Sequence, residues 1–136
     1  MISAFATVVV FLAITLIFPA IKWTNNPNTV AMEELRYKCR DCEKAKQLAH
    51  QDFNQNKFRI IFWGLPDEGV TETVLVPMLA ERFNIKALSG GCIEKPNIEC
   101  YNQQMKELLH YKFGREFLNQ AYVEARQRYE LKKASQ

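Results

Sequence analysis

Hydrophobic and polar positions divide the chain into two unequal parts. From Ile2 to Ile21 it runs ISAFATVVVFLAITLIFPAI, with Ser3, Thr7 and Thr15 as the only polar side chains. All 18 Lys and Arg and all 15 Asp and Glu lie from Lys22 onward. A helix rising about 1.5 Å per residue over such a run crosses a hydrocarbon core of about 30 Å. The pattern predicts a single-pass membrane anchor over residues 1–22, with the lipid bilayer as partner through residues 2–21. A cleaved signal peptide is the competing reading. Against it stand the lack of Lys or Arg ahead of the run, its length beyond an h-region of about 7–15 residues, and Phe18 two positions before Ala20. Trp23 suits the headgroup level, and residues 23–29 (WTNNPNT) read as a linker. The side of the membrane stays undetermined. Lys22, Arg36, Lys38 and Arg40 favour a cytoplasmic domain, but Glu33 and Glu34 intervene.

Residues 30–136 read as one small α/β domain. Thr29 or Asn28 can cap a first helix, with Glu33 and Glu34 placed against its dipole. Leu35, Cys39, Cys42, Ala45 or Lys46, Ala49 and Phe53 recur at helical spacing, which predicts one helix of about five turns ending in NQN before Lys57. Phe58 to Trp63 (FRIIFW) is a compact apolar run, as expected of a parallel strand buried on both faces. TETVLVPMLAERF returns to helical spacing, beginning at Pro77 or kinking there, with Asn84 as a left-handed stop. Ile85 to Leu88 forms a second strand leading into SGGC. Asn97 caps a third helix with an inner stripe of Ile98, Tyr101, Met105, Leu108 and Leu109, broken at Gly114. A last helix over about 115–132 turns Phe117, Ala121, Ala125 and Tyr129 inward.

The predicted fold is therefore an N-terminal transmembrane helix followed by an α-β-α-β-α-α domain with a short parallel sheet. Two strands joined by a helix require a right-handed crossover. So small a sheet leaves room for a third strand, or for pairing with another chain. At 136 residues and a net charge of +3, the chain holds one domain and no basic face that would suit nucleic acid.

From about Lys57 onward the order of features resembles the FEKKY-type domain, a bacterial family without an established activity. The matching residues are LAERF at Leu79 to Phe83, Asn84 where the family tends to have Gly, the following strand, and Gly91–Cys92. The stretch YNQQMKELLHYKFGREF, Tyr101 to Phe117, looks like the family's Tyr-Asn helix and its Lys-aromatic-Gly break. The resemblance covers about 60 residues and implies an architecture but no mechanism.

Ligands of open parallel sheets bind beyond the carboxyl ends of the strands. Here that rule selects GLPDEG after the first strand and SGGC after the second, and so the candidates Asp67, Glu68, Ser89, Gly90, Gly91 and Cys92. Ordinary turns are the plainer reading of both segments. The four cysteines are the other chemical feature, and Cys39, Cys42, Cys92 and Cys100 are all candidates for disulfide or redox roles. Cys39 and Cys42 form a C-x-x-C, but helical sequence precedes it where a redox motif wants a strand, and both fall on the apolar stripe. Cys92 and Cys100 flank a short loop that a disulfide could close in an oxidising compartment. A zinc ribbon is a poor match to these spacings, so no metal is expected. His50 and His110 read as ordinary helix positions. With no nucleophile elbow, P-loop, dinucleotide fingerprint or zinc-protease motif, no cofactor is implied and an enzyme is left undecided. The two functions in view are a module binding a ligand, a protein partner or a second copy, and a thiol-dependent enzyme or redox protein using Cys92 and Cys100.

Overall fold

The computed structural model describes residues 26–64, 67 and 69–135. The anchor expected over residues 1–22, linker residues 23–25 and the candidate Glu68 lie outside the described residues. Among those described, no helix is long and apolar enough to cross a membrane. The described chain runs α1 (Pro27–Lys38), α2 (Cys42–Asn54), β1 (Phe58–Trp63), a π-helical turn (Thr71–Leu75), α3 (Val76–Phe83), β2 (Ile85–Gly91), α4 (Pro96–Phe113) and α5 (Phe117–Ala134). It is a small α/β domain with a two-stranded parallel sheet, as the hydropathy pattern required.

The single long first helix divides in two. α1 is capped by Asn26, whose side chain accepts from the Asn28 N–H, with Pro27 opening the first turn. The expected caps at Asn28 and Thr29 give way because Pro27 fixes its own φ for the helix and needs no donor. Glu33 and Glu34 consequently lie past the first turn. The chain breaks at Cys39, and the Asp41 side chain accepts the Lys44 N–H at 2.8 Å to start α2. Leu35, Cys39, Ala45 and Ala49 are nonetheless all buried. Two helices against one core preserve the spacing that a single helix would show.

β1 is buried along its first four residues and pairs in register with β2, from Phe58 opposite Ile85 to Phe62 opposite Ser89. A register shift after Phe62 then sets Trp63 opposite Gly91. β2 extends three residues beyond the expected Leu88, since the Ser89 N–H finds the Asn28 side chain and the Gly91 carbonyl accepts the Gly64 N–H. Pro77 is accommodated rather than avoided. It cannot donate to a carbonyl one turn back, and the ladder widens just before it, with the Val76 N–H reaching Thr71 O in the π register. Asn84 ends α3 at φ 54°, ψ 34°, the left-handed stop read from sequence.

α4 starts from Lys95 and Pro96 rather than from an Asn97 cap; the Asn97 side chain instead donates to the Arg40 carbonyl at 2.8 Å. Ile98, Tyr101, Met105 and Leu109 of its expected stripe are buried, and Leu108 is half-buried. Gly114 terminates it at φ 97°. Phe117, Ala121 and Ala125 bury α5 against the core. Phe83, Phe113 and Phe117 form a cluster with ring centroids 5.1–5.5 Å apart, tying α3, α4 and α5 together.

No third strand flanks the sheet among the described residues. Two asparagine side chains take its place. Asn102 of α4 accepts from the Ile61 N–H and donates to the Ile61 carbonyl, both at 2.9 Å, on the free edge of β1. Asn28 of α1 does the same for Ser89 on β2, accepting at 2.8 Å and donating at 3.2 Å. A primary amide sets an N–H donor beside a carbonyl acceptor, as an extended peptide does.

Candidate functional site

Between the carboxyl ends of the two strands and the π turn lies a cleft of about 350 Å³. Phe62, Trp63 and Gly64 border it from the end of β1, and Ala87, Leu88 and Ser89 from β2. Asp67, Thr71, Glu72 and Val76 form the opposite side, and Asn28 of α1 closes the rim. This is where a parallel sheet presents open space, because its crossover helix leaves the strand ends uncovered.

Asp67 organises this side of the cleft. Its Oδ1 accepts from the Thr71 N–H at 3.1 Å and the Thr71 hydroxyl at 2.5 Å, and its Oδ2 accepts from the Tyr122 hydroxyl of α5. The Thr71 bond first, and then the Tyr122 bond, hold the Asp67 carboxyl below its ordinary pKa. The same contact pushes the Tyr122 hydroxyl up, since its proton is held by an anion. Asp67 therefore joins the loop after β1 to both the π turn and the last helix.

Of the residues selected from sequence, Asp67 and Ser89 line the cleft, while Gly90, Gly91 and Cys92 do not. Gly90 has a packing role. A Cβ there would lie 2.4 Å from Cε3 of Trp63 and 2.7 Å from Cγ2 of Ile61, so the missing side chain makes room for the indole. Trp63 is in turn fixed by its Nε1 donating to Glu99 at 2.6 Å. The Gly91 carbonyl accepts the Gly64 N–H at 2.9 Å, which ties the two strand ends together. Thr71, Glu72 and Asn28 were not selected from sequence. Thr71 and Glu72 follow the loop by only a few residues, so the strand-end rule extended to the next helix would have found them. Asn28 carried no such signal.

The disulfide links Cys42 to Cys100, 58 residues apart in sequence. This corrects the expected closure of the short loop between Cys92 and Cys100. Cys42 opens α2 and Cys100 is the fifth residue of α4, and these two helices pack closely along their length. Cys92 is exposed and free, and Cys39 is buried and free. Burial pushes the Cys39 thiol up to about 11. A redox C-x-x-C has a low-pKa first thiol, so burial sets Cys39 in the opposite direction. Among the described residues no group of three or more His, Cys, Asp or Glu is placed to hold a metal ion.

A second charged assembly lies away from the cleft, on Arg59. Its side chain is only 2% exposed despite standing in β1. It donates to Asp52 of α2, to Tyr101 Oη at 3.1 Å and to Glu34 of α1 at 2.9 Å. Tyr101 donates to Asp52 at 2.7 Å, and burial raises the Tyr101 hydroxyl well above its usual pKa. Glu34 also accepts from Lys38 and Lys57. Every buried polar side-chain atom described here has a partner, which marks the assembly as a structural lock between α1, α2, β1 and α4.

Comparison of the chain with protein-family models, with curated proteins and with solved structures found no match.

Proposed function

We propose that the chain is a membrane-anchored binding module whose domain takes a small ligand in the cleft at the carboxyl ends of β1 and β2. The observation that carries this is the cleft itself. It is concave, mostly apolar, and edged by a few polar groups converging from three segments, the usual make-up of a small-molecule site. The anchor rests on the uncharged run from Ile2 to Ile21. The Cys42–Cys100 disulfide supports exposure of the domain to an oxidising compartment. Kinship with the FEKKY-type family rests on the motifs around Leu79 to Phe83 and Tyr101 to Phe117 and bears only on architecture.

The thiol-enzyme reading has less support. Cys100 is bound to Cys42, and Cys92 stands outside the cleft. The test of the binding reading is a fragment screen by NMR on the full chain in nonionic detergent. Shifts centred on Phe62, Thr71 and Ser89, and lost in Ser89→Trp, are expected. Shifts that leave these residues unmoved for every fragment would overturn it.

A further inference from the structure

We infer that the cleft selects an organic cation, an ammonium group carried on a short apolar body. The inference rests on the reading of the cleft as a binding site and names its ligand class. Phe62, Val76 and Ala87 provide apolar surface, while Asp67 and Glu72 provide two carboxylates. Among the described residues, no Lys or Arg lines the cleft.

The two carboxylates differ from the ion-paired acids elsewhere in how they are satisfied. Asp52 and Glu34 are neutralised by Arg59, and Glu34 by two lysines besides. Among the described residues, Asp67 is held by neutral donors alone, the Thr71 N–H and the hydroxyls of Thr71 and Tyr122. Such bonds hold the carboxylate ionised without cancelling its charge. Glu72, exposed at the cleft, pairs with no cation among the described residues. Arg126, the cation one turn beyond Tyr122 on α5, does not line the cleft. The ligand thus meets two carboxylates that no described cation pairs, beside an aromatic ring, which favours cations and disfavours carboxylates and phosphates, with Arg126 near the Tyr122 hydroxyl softening the field. A bare divalent ion fits less well, because both Asp67 oxygens already accept hydrogen bonds and the remaining walls are largely apolar.

The test compares three probes sharing one body: phenethylammonium, 2-phenylethanol and phenylacetate. They are titrated into the full chain in nonionic detergent and followed by the amide resonances of Thr71 and Ser89. Phenethylammonium should bind about three- to fivefold tighter than the alcohol, the range of a partly exposed ion pair. Phenylacetate should be the weakest, and added salt should narrow the spread. Glu72→Gln should bring ammonium and alcohol to within about twofold of each other while leaving the fold intact. Equal or tighter binding of the alcohol or phenylacetate would overturn the cation preference and leave the cleft as a binding site. Failure of all three to move these resonances would overturn both.

Discussion

Asn102 closes the outer edge of β1 by giving both ends of its side-chain amide to the backbone of Ile61. The contact is fully buried, and the same amide nitrogen also donates to Glu99 at 3.0 Å. A two-stranded sheet otherwise leaves such an edge unpaired, and a buried orphan N–H and C=O are costly. Asn102→Leu should therefore lower stability by about 2–4 kcal/mol, two unmet backbone groups at roughly 1–3 kcal/mol each less the gain of an apolar side chain. Denaturant melts of the two proteins measure this. A loss below about 0.5 kcal/mol would mean that the edge is not sealed by Asn102.

Asp52 and Arg59 form a buried ion pair. Removing one partner strands the other's charge, so Asp52→Ala should cost about 3–5 kcal/mol. Joint replacement by Asp52→Leu and Arg59→Met should cost clearly less than the two single changes added together. A double-mutant cycle in urea reads the coupling. Additive losses would show that the guanidinium is not held by Asp52.

Glu34 links this pair to solvent. Its bond to Lys38 first, opposed by burial and reinforced by Lys57 and Arg59, brings its pKa from 4.5 to about 2. A carboxyl depressed in the folded state stabilises above its unfolded pKa and loses that contribution as the pH falls through its folded one. Stability should thus decline between about pH 4.5 and about 2, and Glu34→Gln should flatten that limb. The comparison is a series of urea melts across this range. Parallel acid limbs in the two proteins would refute the assignment.

The cysteines give a prediction that separates all four. Closing a loop across 58 residues stabilises by about 4 kcal/mol on chain-entropy grounds. Cys100→Ser should cost about that much, whereas Cys92→Ser should be neutral within about 0.5 kcal/mol. Alkylation of the native protein should label Cys92 alone, and denaturation without reductant should add only Cys39. Labelling of Cys42 or Cys100 under those conditions would show the bridge is not formed. A native bridge would also favour an oxidising side of the membrane for the domain.

Gly90 is required by Trp63. With only 2.4 Å between a Cβ at position 90 and Trp63 Cε3, Gly90→Ala should displace the indole, at about 1–3 kcal/mol. The Trp63 Nε1–H resonance should shift as its bond to Glu99 weakens. An unmoved indole resonance would argue against the clash.

Local pattern determined most of the elements. The apolar run of β1, the left-handed stop at Asn84 and the buried faces of α4 and α5 follow from periodicities and residue types acting over one or two turns. The location of the cleft was also legible, because the strand–helix–strand order alone leaves the strand ends open, and Asp67 and Ser89 were found there. What only the tertiary structure decided was partnership between residues distant in sequence. Cys100 took Cys42 rather than its near neighbour Cys92 because α2 and α4 pack side by side. Arg59 entered the core because Asp52, Glu34 and Tyr101 arrive from three helices to satisfy it. Asn28 and Asn102 became sheet edges because α1 and α4 set their amides beside strands more than 40 residues away. A sequence records each group's capacity for these bonds, but only the packing of the helices chooses the partner.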